Sequence, residues 1–232
     1  MRSRRPLLLA GLLTGALAAM FYPREAHAQA IPPSAERNES FGVASTITMA
    51  IGAATVSLMP RVYYNDPEAT VGWKARWHLS QLAPVMTLVG ATLLVDIPIK
   101  NLGEGTRPGC TVEETESGFD GSNCESYGMP STHDFAAYSA FGAGVAIWVV
   151  DLFQYNDMNF NAGSFIGDVV VPLGAAVATS VFRGIGGDQA YEDPAQIGVG
   201  VAAGTVAGLL TGIVYAMFQE PGCGYGNNIF CW

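Results

Sequence analysis

The chain has 232 residues and a formal net charge of −9, with 13% of residues charged and half of them hydrophobic. A typical soluble domain carries roughly 25% charged residues, so a mean hydropathy of +0.27 points to lipid as the main solvent. The acidic balance excludes nucleic acid and anionic lipid surfaces as general partners.

Residues 1–28 open with Arg2, Arg4 and Arg5, continue as an apolar stretch from Leu7 to Met20, and close on Ala26-His27-Ala28. This is the pattern of a secretory signal peptide, with a first transmembrane helix as the rival reading. Its removal takes four Arg and Glu25 and moves the net charge from −9 to −12. Residues 29–222 read as a helical membrane domain and 223–232 as a Cys-containing tail.

Five apolar segments follow: Phe41 to Pro60, Leu79 to Val95, Phe135 to Val150, Val169 to Phe182, and Pro194 to Phe218. A bilayer crossing needs about 20 apolar residues. The first and last segments reach that length. The middle three reach it only by taking in Asp96, Asp151 or Asp168, which keeps a soluble periplasmic helical domain as an alternative. Gly, Ala and Leu recur at helical spacing and no alternating β pattern is present. The expected fold is therefore an all-α membrane bundle of five mature spans, or six with the N-terminal segment. Gly200, Gly204, Gly208 and Gly212 line one face of the last helix, for packing inside the bundle ahead of an oligomer seam. Asp96, Asp151 and Asp168 sit at segment ends, where acids reach the headgroups more often than they function. Trp73, Trp77 and Trp148 suit an interfacial belt. The acidic run Glu113, Glu114, Glu116 and Asp120 reads as a solvated loop, and its spacing matches no standard Ca²⁺ loop. No cofactor or metal is expected.

A cytoplasmic N-terminus puts the loop 61–78, with Arg61, Lys74 and Arg76, inside, as the positive-inside tendency asks. The loops 100–133 and 183–193 then face outward from an inner (plasma) membrane. The local disulfide pairing is Cys110 with Cys124 and Cys223 with Cys231, although four Cys allow three connectivities. The tail pair falls on the reducing side, against this scheme.

Three polar stretches collect on the outward loops. Lys100 and Arg107-Pro108 follow the second mature helix, Pro130-Ser131-Thr132-His133 precede the third, and Arg183 and Asp193 lie ten residues apart before the last. A Lys and two Arg offer charge and a bidentate fork to a phosphoryl group. Ser131, Thr132 and Asp134 are N-cap residues, and the free N–H groups of that helix start form an anion site. His133 has the chemistry to give a proton to a leaving oxygen.

In order and spacing these stretches resemble the three signature motifs of the PAP2 superfamily, the type 2 phosphatidic acid phosphatases and related acid phosphatases and haloperoxidases. Lys100, Arg107 and Pro108 match the first motif; Pro130, Ser131 and His133 the second; Arg183 and Asp193 the third. The resemblance implies a six-helix lipid-phosphatase layout. Lys100, Arg107, Ser131, Thr132 and Arg183 would bind phosphate, His133 would be the general acid, and Asp193 would orient a nucleophilic His. Three departures stand out: Thr132 replaces a Gly, Phe182 replaces a Ser, and Gln189 occupies the nucleophile position. An amide cannot form a phosphohistidine-type intermediate. The resemblance thus implies a phosphorylated lipid or another phosphate-bearing small molecule as partner, with the standard reaction impaired. The alternatives are an active phosphatase using water activated by Asp188 or His133, and a soluble periplasmic acid-phosphatase-like protein.

Overall fold

The computed structural model describes residues 39–63, 74–76, 82–100, 105–117, 124 and 127–218. The signal segment, Trp73, Trp77, Cys223 and Cys231 lie outside the described residues. Among the described residues, five helices are long and apolar enough to cross a bilayer. They are α1 (Glu39–Leu58), α2 (Leu82–Ile99), α4 (Thr132–Tyr155), α5 (Ala162–Gly184) and α6 (Pro194–Phe218). A short α3 (Val112–Ser117) covers part of the acidic run, which the sequence reading left as loop. The loop after α1 carries a small antiparallel ribbon of β1 (Arg61–Tyr63) and β2 (Lys74–Arg76), three residues each. No period-2 pattern announces strands this short.

The three middle segments reach spanning length in one way. Each takes in a π-helical turn: Val95–Ile99 in α2, Asp151–Tyr155 in α4 and Ile166–Val170 in α5. Single π turns are rare and gather at functional sites, and each of these three holds one Asp. Asp96 stays exposed, as a headgroup-seeking acid should. Asp151 and Asp168 do not, since both are buried. For these two the expectation of headgroup contact is corrected. Arg61, at the start of the loop after α1, is buried and ion-paired with Asp151.

The packing is that of a membrane protein. Ile47, Leu93, Val177, Val181, Leu210 and Val214 point outward, while Ala137, Ala140, Ala143, Ala176, Ser45, Ser139 and Thr179 fill the interior. A soluble domain shows the reverse distribution, with its large aliphatic residues inside. In lipid, close packing comes from small residues that let backbones approach. This outward apolar surface speaks against the soluble alternative.

α4 sits at the centre and packs on α1, α2, α5 and α6. Its closest neighbour is the glycine face of α6. A Cβ at Gly200 would lie 2.6 Å from Ser131 O, and one at Gly212 would lie 2.5 Å from Ala143 O. Gly204 and Gly208 approach Phe135 O and Ser139 O closer still. The four glycines are therefore occupied within one chain and do not form a seam between copies. Overpacking a filled core costs about 1–3 kcal/mol or more. We expect Gly208→Leu to lower the thermal midpoint in detergent by several degrees or abolish the folded peak in size-exclusion chromatography. Gly90→Leu, where a Cβ meets nothing within 4 Å, should leave both unchanged.

Candidate anion-binding site

One end of the bundle collects the residues singled out in the three motifs. Ser131 is the N-cap of α4, its Oγ accepting from Asp134 N at 3.2 Å. The cap fixes the first turn, so that Thr132 and His133 leave it on different sides. Thr132 Oγ1 donates to Asp96 Oδ1 at 2.9 Å and accepts from Lys100 Nζ at 3.1 Å. Lys100 also faces Asp96 at 3.5 Å, one helical turn back. The ammonium is 3% exposed. Burial and the neighbouring Arg107 push it below the usual lysine range, against the pull of Glu192 and Asp96.

Arg183 ends α5 and is equally buried. Gly186 and Gly187, at φ 118° and 60°, turn the chain left-handed immediately after it, a conformation that costs glycine little. The Gly-rich stretch is thus a turn. The return is closed by Tyr191 N and Glu192 N, which both donate to Arg183 O, at 3.0 and 3.2 Å. The guanidinium stacks 4.6 Å from the Tyr191 ring centroid. Its Nη2 donates to Glu192 Oε1 at 2.8 Å.

Glu192 is the residue that motif reading missed. It is 0% exposed. Burial opposes its charge, but the Arg183 guanidinium, with its hydrogen bond, and Lys100 outweigh burial and hold the carboxyl below the usual range. The Ser131 hydroxyl has one proton and two carboxylates beside it. At 2.6 Å from Asp134 Oδ2 that proton goes to Asp134, which leaves Glu192 Oε2 buried without a hydrogen bond. Arg183 Nε is a buried donor in the same condition. A buried polar atom left this way is costly, and an unpaired donor beside an unpaired acceptor is what a small protonated anion would satisfy.

His133 is half-buried within electrostatic reach of Arg183, Glu192, Lys100 and Arg107. Its Nε2 lies 3.2 Å from Thr46 Oγ1 of α1. Thr46 also reaches Gly42 O at 3.1 Å. A hydroxyl that donates there accepts from Nε2–H. Ser180, one turn before Arg183, donates to Asp134 Oδ1. Neither Thr46 nor Ser180 belongs to a motif. Ser180 could be inferred from its helical spacing to Arg183, whereas Thr46 carries no signal.

Two expectations change. Asp193 does not orient a nucleophile: its Oδ1 accepts from Ala195 N at 2.7 Å and Gln196 N at 2.9 Å, capping α6. Gln189 is exposed in the 3₁₀ turn Gly187–Gln189 and lies outside the buried cluster. Gln196, fully buried, joins the parts instead. Its Nε2 donates to Thr106 O at 2.8 Å and Gly105 O at 3.3 Å, and its backbone O accepts from Ser131 N at 3.0 Å. Arg107 is half-buried on that loop, which the disulfide Cys110–Cys124 closes. Compared with known proteins, the chain matches no family model, no curated protein and no solved structure.

Breaking a buried pair from one side costs about 3–5 kcal/mol, so Arg183→Met should lower the thermal midpoint far more than Arg183→Met combined with Glu192→Leu. The sign with pH follows from a depressed carboxyl. The stabilisation is fully present above the ordinary Glu value of 4.5 and is lost as pH falls through the lower folded value. Between pH 5 and 3 the wild-type midpoint should therefore fall more steeply than that of Glu192→Gln in a pH series of thermal melts.

Proposed function

We propose that this chain is a PAP2-type helical membrane protein that keeps the phosphate-holding half of a lipid phosphatase site and lacks the phosphohistidine half. The observation that supports it best is the convergence of Lys100, Ser131, Thr132, His133 and Arg183 at one end of the bundle, from three helices far apart in sequence. Arg183 Nε and the remaining N–H of Lys100, an ammonium with three donors, would serve a phosphoryl oxygen, and Glu192 Oε2 would accept from a protonated one. No His joins them at the third motif. The ligand class is a phosphorylated lipid or a free phosphate ester arriving from the membrane edge.

Orientation belongs to the same reading. The disulfide loop 105–117 adjoins the site, and disulfides persist in oxidising compartments. The ribbon with Lys74 and Arg76 lies at the opposite end, which suits the cytoplasmic side. The site would then face the periplasm or the exterior of an inner membrane.

Glu192 sets the strength of binding. It competes for Arg183 with any incoming anion, so the pocket is partly neutralised by its own chain. Lys100 is held below the ordinary lysine value of 10.5 and a bound anion favours its charged form, so binding should tighten as pH falls through that lowered value. The test uses purified protein in detergent. Phosphate release from phosphatidic acid and from a polyprenyl pyrophosphate should be at background for wild type. Gln189→His should not raise it, because residue 189 stands outside the cluster. Orthovanadate or inorganic phosphate should bind by isothermal titration, about tenfold tighter in Glu192→Gln, which is about 1.4 kcal/mol, and several-fold weaker in Arg107→Gln. Robust wild-type turnover abolished by His133→Ala would overturn the impaired reading. No anion binding by either wild type or Glu192→Gln would overturn the site.

A further inference from the structure

At the other end of the bundle, where α4 turns into α5, a small polar cavity lies beneath the loop 156–161. Asp151, Asn156, Asn159, Asn161, Ser164 and Asp168 line it, with Trp148 as an aromatic wall. Its volume is about 10 Å³, close to the ~10–15 Å³ that one water-sized occupant requires.

Among the described residues, the charges around it do not cancel. Arg61 Nε donates to Asp151 Oδ2 at 2.9 Å and Nη2 donates to Oδ1, so this pair is a bidentate ion pair. The guanidinium also sits between the rings of Tyr155 and Tyr215, 5.5 and 5.7 Å from their centroids. Asp168 is left over. It is 8% exposed, lines the cavity, and its side chain receives no hydrogen bond among the described residues. Asp151 and Arg61 are the charged groups that act on it. An ionised carboxylate buried without a partner is strongly disfavoured and calls for a proton or a cation. The rest of the lining is oxygen-rich. Asn161 Oδ1 accepts only from Ser164 N, at 3.0 Å, and each carbonyl oxygen has two lone pairs. Carboxylate, amide carbonyl and hydroxyl oxygens are the ligands of hard cations.

We propose that this cavity binds one small monovalent cation of sodium type, held by Asp168 with the side-chain oxygens of Asn159, Asn161 and Ser164 and by the Asp151 carboxylate that Arg61 orients. One uncompensated negative charge favours a monovalent over a divalent ion. The site is independent of the anion cluster and requires no phosphatase ancestry. No metal-ligand spacing marks it in the sequence because its oxygens come from the end of one helix, a turn, and the π turn of the next.

The experiment is a thermal melt of the purified full chain in detergent, with NaCl titrated against choline chloride at constant ionic strength. A ligand that binds only the folded state raises the midpoint in a saturable way. We expect such a rise with Na⁺, absent in Asp168→Asn and weakened in Asn159→Ala, a loop variant that spares the helices. Isothermal titration of wild type with NaCl gives a second readout if Asp168→Asn does not fold. No saturable Na⁺ response at any pH from 6 to 9 would overturn the proposal and leave Asp168 as a protonated or water-bonded carboxyl. So would a response that persists in Asp168→Asn. A response to Ca²⁺ or Mg²⁺ alone overturns the monovalent assignment.

Discussion

The contact between the backbones of α4 and α6 is the constraint on which both ends of this protein depend. Four glycines one turn apart let the carbonyls of Ser131, Phe135, Ser139 and Ala143 lie against α6, and Ser139 adds a hydrogen bond from its Oγ to Gly204 O at 3.1 Å. Lipid offers no hydrophobic drive between helices, so intimate contact of this kind has to come from small residues and interhelical polar bonds. Once α4 and α6 are in register, the rest follows geometrically. Gln196 on α6 is brought to Ser131 at one end, and Tyr215 on α6 is brought to Arg61 and Asp151 at the other.

The interior is organised by charge as much as by packing. At each end a buried guanidinium meets a buried carboxylate from a distant or returning segment: Arg183 with Glu192, and Arg61 with Asp151. Such pairs add little net stability over an apolar equivalent, but removing one partner is severe. They fix which segments must meet. What remains after pairing differs between the two ends. The anion cluster sets Lys100, Arg107 and Arg183 against Asp96, Asp134 and Glu192, so its formal charges balance. The opposite cavity keeps Asp168, a negative surplus. Surplus buried charge is where a ligand of opposite sign has most to offer.

Glu192 changes how the motif resemblance should be weighed. A motif match reports residue types at spacings, and Lys100, Ser131, His133 and Arg183 satisfy that test. The geometry adds an internal carboxylate on the very Arg that would hold phosphate. It also turns Asp193 into a helix cap and leaves Gln189 in solvent. The segment 183–193 holds no His and is organised around Glu192, which pairs with Arg183.

Composition, segment length and glycine spacing were enough to determine a helical membrane bundle, the number of described spans, and the end of it where the polar motif residues would gather. Those features are legible because hydrophobicity and helical period act locally along the chain. The sequence did not determine that Asp151 and Asp168 turn inward, that Arg61 leaves its loop to pair with one of them, or that Glu192 rather than Asp193 enters the cluster. Neighbouring carboxylates such as Glu192 and Asp193 are chemically alike on the page. A single left-handed turn at Gly186 and Gly187 points one at Arg183 and the other at the start of α6. Direction of a side chain is a tertiary property, because it depends on the position of the partner that will neutralise it.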